Sequence, residues 1–273
     1  MRTLTLLVVA LMLPTLSLAG RLVFDGDFKQ GGLVQGWTDP RAVVTFDDQQ
    51  VRVSTEGHFL LGFGRDAPAK SKLQVRFPDG QTEEKTFKVA KREYQIQRID
   101  GLPTRQVTPS KEDLERIRKE AAMAREARKL DAERTDFLGG FIWPAQGRIS
   151  GVYGSQRILN GQPRRPHFGV DVAAPVGTEV RAPADGVVTM VHSDMFYSGG
   201  TMILDHGHGL SSSFLHLHRI LVKKGQRVRQ GDLIAEIGAT GRVTGAHLDW
   251  RINLFTRRLD PQLLVGEMPD AVK

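Results

Sequence analysis

The chain has 273 residues, a formal net charge of +7 and no cysteine. The absence of cysteine excludes a disulfide framework, a thiol nucleophile and a cysteine-ligated metal, so any metal site must use His, Asp or Glu. The length indicates two domains, and the basic balance suits an anionic partner.

The first nineteen residues have the pattern of a secretory signal peptide. Arg2 precedes an apolar run from Leu4 to Leu13, and small residues at Ser17 and Ala19 offer a cleavage site. The run is too short for a comfortable membrane span, although an uncleaved anchor is the alternative. We expect cleavage after Ala19, contact with the membrane only during export, and an acidic cell-surface polymer as the anionic partner, with no role for nucleic acid.

Residues 20–106 have the pattern of an N-terminal β domain. Short apolar segments alternate with turn signals such as Asp25-Gly26 and Pro78-Asp79-Gly80, which is typical of a small, immunoglobulin-like sandwich. No catalytic constellation is evident here, and we interpret the isolated His58 as structural. The predicted strands are Arg21–Phe24, Ala42–Phe46, Val51–Ser54, Lys72–Phe77, Thr86–Val89 and Tyr94–Ile99.

Residues 107–140 are predicted to form a helical linker. Ser110 followed by Asp113 resembles a capping box, and a thin apolar stripe runs through Leu114, Ile117, Ala121 and Ala124. We expect this helix to lie on the surface between two domains. A partner-binding helix is the alternative.

Residues 141–262 return to strands separated by glycine turns, which indicates a compact β-rich domain, and residues 263–273 form a tail. The whole chain is therefore predicted to be all-β with two domains and a linker helix. The strands predicted in the second domain are Thr178–Ala182, Gly186–His192, Thr201–Asp205, Ser212–His218, Leu233–Gly238 and His247–Ile252.

Two short stretches in this domain carry the residue types that bind zinc. His167 and Asp171 are four residues apart, about 13 Å on a straight strand, so one ion can be shared only if the backbone bends; we expect Gly169 to permit the bend. His247 and Asp249 differ by two and share one face of a strand. In Ser213–Arg219, alternation places His216 on the face opposite two leucines.

The ordered set of motifs resembles the lysostaphin-type (LytM-like) zinc metallopeptidases, metallopeptidase family twenty-three. The motifs are His167-Phe-Gly-Val-Asp171, Phe214-Leu-His216-Leu and Thr244-Gly-Ala-His247-Leu-Asp249-Trp250, and the resemblance covers roughly residues 141–262. It implies a barrel-sandwich hybrid-like domain and a zinc endopeptidase that hydrolyses the peptide cross-links of bacterial peptidoglycan. It also favours the periplasm over secretion or attachment to the cell wall.

The resemblance also implies residue roles. His167 and Asp171 would bind one zinc ion, while His216 and His247 would be catalytic without binding it. The third ligand of the family pattern is a histidine, and here that position is Asp249. A second carboxylate should leave the ion less positive and move the acid limb of the pH–rate profile to higher pH.

Other residues near the site have weaker indications. Arg164, Arg165 and Asn160 precede His167 closely enough to bind carboxylates of an anionic peptide, or to belong to a solvated loop.

Two other readings remain open from the sequence. The change at Asp249 is compatible with an inactive relative that binds the cell wall or activates amidases. A lipoyl- or biotinyl-like carrier is the other, but the matching turn lacks the lysine that such a carrier modifies.

Overall fold

The computed structural model describes residues 21–102 and 104–269, so the predicted signal peptide and the last residues of the tail lie outside it. The predicted fold class is confirmed: two β-rich regions are joined by a segment that contains one long helix. Among the described residues, no helix has both the length and the apolar character that crossing a membrane requires.

The N-terminal region is a small sandwich of two antiparallel sheets. One sheet has the order β1-β2-β5 and the other β4-β3-β6-β7. Their facing sides enclose an apolar core rich in phenylalanine, including Phe46, Phe59 and Phe63, as alternation along the strands requires. The strands are β1 Val23–Gly26, β2 Leu33–Trp37, β3 Val43–Phe46, β4 Gln49–Val51, β5 His58–Gly62, β6 Lys70–Arg76 and β7 Thr82–Lys88.

The connecting segment contains β8 Ile96–Ile99, α1 Thr104–Val107 and α2 Lys111–Ala127. The Ser110 side chain caps α2 by accepting a hydrogen bond from the Asp113 amide at 3.2 Å. The apolar stripe differs from the prediction, because Leu114 and Ala121 are exposed while Ala124 and Ala127 are partly buried. These two alanines pack against Met190, Met195 and Ile203.

The C-terminal domain is built on a ten-stranded antiparallel sheet whose main path is β17-β14-β15-β16-β19-β12-β9. A 3₁₀ turn at Asp136–Gly139 precedes the sheet, and β10 and β11 belong to a separate small sheet. The elements of the domain are β9 Arg148–Gly151, β10 Gln156–Leu159, β11 Gln162–Pro163, β12 Val170–Ala173, β13 Glu179–Arg181, β14 Gly186–Met195, β15 Gly199–Asp205, β16 Leu210–Ile220, β17 Arg227–Val228, β18 Leu233–Ile237, β19 His247–Leu254, β20 Arg257–Leu259 and α3 Gln262–Val265.

The connecting segment is attached to the C-terminal domain through β8, which pairs in parallel with β10. The Asn160 side chain exchanges two hydrogen bonds with the backbone of Leu102, at 2.7 and 3.2 Å. The predicted N-terminal domain extends to residue 106, yet β8 makes its strand pairing with the other domain. The domain boundaries remain predictions, and this pairing is the feature against which they should be tested.

The two β regions pack directly on each other. Leu33 and Leu60 belong to the same buried cluster as Leu254 and Leu259. At Gly62, an added Cβ would lie 3.0 Å from a methyl carbon of Leu254. One face of the β1-β2-β5 sheet is therefore covered by the C-terminal domain.

Candidate metal and catalytic site

Two aspartates lie opposite each other on neighbouring strands. Asp171 on β12 is the register partner of Asp249 on β19. Like charges in directly opposed positions repel, and both side chains are buried, so the arrangement is unfavourable without a cation. A pair of this kind is a signal of function.

His167 joins this pair from the segment before β12. Its backbone is held by hydrogen bonds to the turn at Gly154 and Ser155, both 2.8 Å long. The chain bends before the strand begins at Val170, as predicted, but Gly169 does not have a positive φ. Gly169 therefore does not use the left-handed conformation that glycine adopts easily, and its lack of a side chain leaves space for the neighbouring groups.

The three side chains fit a zinc ion. His167 Nε2 lies 3.0 Å from Asp171 Oδ1 and 3.4 Å from Asp249 Oδ2, and the three ligand atoms all lie within 4.8 Å of one another. Ligands about 2.0–2.2 Å from a tetrahedral ion are about 3.4 Å apart. Apart from their contacts with one another, both ring nitrogens of His167 and Asp171 Oδ1 are buried without a hydrogen-bond partner among the described residues, so the site has atoms ready for a ligand.

The charges of the three groups depend on one another. Burial lowers the pKa of His167, but Asp171 and Asp249 outweigh it and raise that pKa. Burial raises the pKa of Asp249, but Arg251 and His167 hold it well below its usual range. The carboxylates are therefore ionised, and a metal would displace a proton from His167.

His216 lies at an irregularity of β16, where the register with β15 shifts between Phe214 and Leu217. It has a φ of +65°, an uncommon conformation that often marks functional sites. Its Nδ1 lies 2.8 Å from the Thr240 carbonyl oxygen, which can only accept, so Nδ1 carries the proton and Nε2 keeps a lone pair. Burial above all lowers the pKa of His216 to about 4.

His247 stands next to His216, with ring centroids 4.8 Å apart. Its Nδ1 donates to the carbonyl oxygen of Gly245 at 2.9 Å, and its Nε2 lies 3.9 Å from Asp171 Oδ1. His247 is only partly buried. The Nε2 atoms of both histidines therefore lie beside the metal-binding groups, and that of His216 keeps a lone pair.

These side chains open into a cleft of about 270 Å³. Asp171, His216 and His247 contribute to its wall, together with Gln97, Ile99 and Leu102 of the connecting segment. The charged side chains that line it are three arginines and one aspartate: Arg148, Arg157, Arg242 and Asp171. The cleft is thus positive before any metal is counted, which favours an anionic ligand.

The residues with weaker sequence indications lie elsewhere. Asn160 holds Leu102, and Arg164 donates to the Val107 carbonyl at 2.8 Å, so both fasten the connecting segment. Arg165 is exposed. The three are not among the residues that line the cleft, and a direct role in substrate binding remains only a prediction.

Sequence reasoning missed two arginines that contact the aspartates. Arg157 donates to Asp171 Oδ2 at 3.3 Å and, through Nε, to Gln97 Oε1 at 3.3 Å. Arg251 donates to both oxygens of Asp249. Its position two residues after Asp249 on one strand was a usable signal, whereas the contact of Arg157 depends on distant parts of the chain.

Known proteins share this domain. The profile of Peptidase family M23 matches residues 165–261. A peptidoglycan DD-endopeptidase of Vibrio cholerae, ShyA, is 42% identical over 106 residues, which are 38% of this chain and 24% of that protein. A DD-carboxypeptidase/endopeptidase of Neisseria meningitidis, Mpg, is 36% identical over 123 residues, 45% of this chain and 28% of that protein. The chain thus spans about a quarter of the length of these curated relatives.

A solved structure resembles nearly the whole chain. The crystal structure of a peptidase M23 protein from Pseudomonas aeruginosa has a TM-score of 0.66 and 30% sequence identity, covering 87% of this chain and 95% of that one. The likeness therefore includes the N-terminal sandwich and the connecting segment as well as the matched domain. The resemblance noted in the sequence is confirmed, and the chain belongs to peptidase family M23.

Proposed function

We propose that this protein is an exported, zinc-dependent endopeptidase that hydrolyses peptide cross-links of bacterial peptidoglycan. The observation that carries the proposal is the convergence of His167, Asp171 and Asp249 next to a cleft that Asp171, His216 and His247 line. The relatives named as peptidoglycan endopeptidases support the substrate class. The N-terminal sequence supports export, with the periplasm as the expected location.

His167, Asp171 and Asp249 would hold one zinc ion. When bound, zinc polarises the scissile carbonyl and makes a water molecule acidic enough to attack at neutral pH. The chain has no cysteine, and Ser150, which lines the described cleft, donates to the Asp171 carbonyl at 3.4 Å and is not assigned as a nucleophile. Its own residues therefore act by holding the peptide and moving protons.

The histidines divide this work by their surroundings. Buried His216 resists protonation, since its pKa is lowered to about 4. His247 is less buried, lines the cleft, and places its Nε2 3.9 Å from Asp171 Oδ1. We therefore assign the proton from the attacking water to His247 Nε2, which then passes it to the leaving amine. His216 would remain neutral and pack against the His247 ring.

The cleft suits an acidic peptide. Arg148 and Arg242 line the same cleft as the catalytic histidines, and Ile99, Leu102 and Leu159 give it apolar surface. A stem peptide with free carboxylates could use both kinds of surface. A peptidoglycan stem peptide is therefore the expected partner, and nucleic acid is not expected to bind.

Purified peptidoglycan provides the test. Mature protein should release cross-linked fragments cut at one kind of peptide bond, identified by mass spectrometry, and a zinc chelator should abolish the release. Protein carrying His247→Ala, purified in the same way, is the matched control and should release almost none. Chelator-resistant cleavage, or zinc-loaded protein that binds peptidoglycan without cutting it, would overturn the proposal, and the latter would favour the cell-wall binding module.

A further inference from the structure

Asp249 accepts two hydrogen bonds from a single arginine on its own strand. Arg251 Nε donates to Oδ1 at 2.8 Å and Nη2 donates to Oδ2 at 2.5 Å. Such a two-point contact fixes both the direction and the rotation of a carboxylate. Oδ2 is also the oxygen that lies 3.4 Å from His167 Nε2, so Arg251 holds the oxygen that reaches the metal-binding groups.

The loop between His167 and Asp171 leaves room for this ion pair. A Cβ at Gly169 would lie 2.4 Å from Asp249 Oδ1 and 2.6 Å from Arg251 Cγ. Real Cβ atoms essentially never approach other atoms so closely, and any side chain there would displace the pair. The same loop thus supplies two of the metal-binding groups and the space for the third.

The charges in this part of the site are balanced in pairs. Arg251 offsets Asp249, and Arg157 lies against Asp171 at 3.3 Å. Two further, partly buried arginines lie near Arg251. Burial, Arg258 and Arg251 lower the pKa of Arg128 to about 9, and burial and Arg251 lower that of Arg258 to about 10. The protein side of Asp249 is therefore strongly positive, although the residue itself is an anion.

We propose that Asp249 and Arg251 act together as the third metal ligand, with Oδ2 as the ligand atom and Arg251 as the positioning residue that aims it and offsets its charge. The pair carries no net charge, as a neutral imidazole does. It would thus replace the histidine of the family pattern without making the ion less positive. This inference rests on the proposed metal site, and it replaces the expectation that a second carboxylate moves the acid limb of the pH–rate profile.

A double-mutant cycle tests the pair, with zinc affinity measured by competition with a chromophoric chelator. Arg251→Met should weaken zinc binding by about 10- to 100-fold, since residues that orient metal ligands have effects of that size. Asp249→His alone should also weaken it at least about tenfold, because the unpaired Arg251 would then face the ion. Asp249→His combined with Arg251→Met should recover affinity to within about threefold of the parent.

Cobalt substitution gives a second signature. Released from Arg251, Asp249 can offer both oxygens, so the visible absorption of the cobalt form should weaken in Arg251→Met as the coordination number rises. Arg258→Met removes a partly buried neighbouring arginine that makes no hydrogen bond to Asp249 in the described structure. Zinc affinity and cobalt absorption should then stay near those of the parent. If Arg251→Met melts too low to measure, the double variant and Arg251→Lys, which keeps the charge without the planar fork, carry the test.

Unchanged or tighter zinc binding in Arg251→Met would overturn the inference. So would a double variant as weak as either single variant. Because affinity is measured without substrate, the outcome is separate from that of the proposed function. If the protein binds zinc through Asp249 and Arg251 but leaves peptidoglycan intact, the proposed endopeptidase function is refuted and the inference about the metal ligand stands.

Discussion

The N-terminal sandwich and the C-terminal domain bury different kinds of side chain. In the described part of the sandwich, the buried polar residues are uncharged: Gln30, Thr38, Ser54 and Ser71. The C-terminal domain buries titratable groups throughout, among them His167, Asp171, Asp205, His206, His216 and Asp249. Burying ionisable groups costs free energy of folding. The C-terminal domain bears this cost and the sandwich does not, which indicates that the functional residues lie in the C-terminal domain.

The largest expected effect comes from removing a metal-binding group. His167→Ala should lose bound zinc and lower hydrolysis by about 1,000-fold or more, because both carbonyl polarisation and water activation depend on the ion. His58→Ala in the sandwich is the matched control and should change neither. Zinc content by atomic absorption and fragment release from peptidoglycan are the measurements, and equal effects of the two variants would break the comparison.

Removing a proton-transfer group should leave the metal in place. His247→Ala should lower turnover by about 100- to 10,000-fold with zinc content near one ion per chain, since Nδ1 is bonded to Gly245 and Nε2 lies 3.9 Å from the nearest carboxylate. His216→Ala should also retain zinc. Loss of zinc in His216→Ala together with its retention in His167→Ala would invert the assignment of roles.

Within the sandwich, the effect of a substitution should be on stability alone. Phe59 is fully buried, and its ring packs edge-on against Phe24 with centroids 6.1 Å apart. Phe59→Ala should lower the free energy of unfolding by about 3–5 kcal/mol. Zinc content below the unfolding transition should be that of the parent, and a simultaneous loss of zinc would show that the two regions depend on each other more than their buried residues suggest.

His206 predicts a pH dependence that the sandwich should lack. It is fully buried with Asp185, Asp136 and Arg134 as charged neighbours, and burial lowers its pKa from 6.5 to about 4. The unfolded chain therefore binds a proton that the folded chain refuses, so stability is complete above pH 6.5 and is lost as the pH falls towards 4. The full loss is about 3 kcal/mol.

Urea unfolding midpoints of the parent and of His206→Gln, measured across this window, test the prediction. The variant is less stable because it loses the contacts with Asp185 and Ser212, each under 3 Å. Its stability should nevertheless fall less steeply with pH than that of the parent. Parallel curves would exclude His206 as the cause.

The smallest expected effect is that of Gln97 in the connecting segment. Its side chain accepts a hydrogen bond from Arg157, which in turn contacts Asp171. Gln97→Ala should lower kcat/KM by about two- to tenfold, the value of one hydrogen bond. Gln74→Ala in the sandwich, whose side chain bonds an exposed Glu84, should have no effect.

The separate motifs of the site can be predicted from the sequence, whereas the strand pairing that brings them together cannot. His167-x-x-x-Asp171 and His247-x-Asp249 are local patterns, and strand alternation predicts that Asp249 shares a face with His247, although not that the aspartate is buried. The opposition of Asp171 and Asp249 depends on the register of β12 against β19, which is set by packing of the whole sheet. The φ of His216 results from an irregular strand that strict alternation cannot anticipate.

The connecting segment is the part of the site that was hardest to predict. Tyr94–Ile99 was correctly predicted to contain a strand, and β8 lies within it. Its parallel partner β10 follows more than fifty residues later, and no local pattern specifies a pairing over that distance. The sequence therefore gives no indication that Ile99 and Leu102 line the same cleft as His247.

The parallel pairing of β8 with β10 has a consequence for fragments of this protein. Cleavage by an added protease near residue 136, between the helix and the C-terminal sheet, breaks the covalent link but none of the hydrogen bonds of that pairing. The nicked halves should therefore co-elute in gel filtration and separate only in denaturant. A shortened chain that begins at residue 141 lacks β8 altogether and leaves Leu159, buried in the intact protein, open to water. The smallest autonomous unit that retains the cleft should therefore begin before Ile96, well upstream of the segment that carries the family motifs.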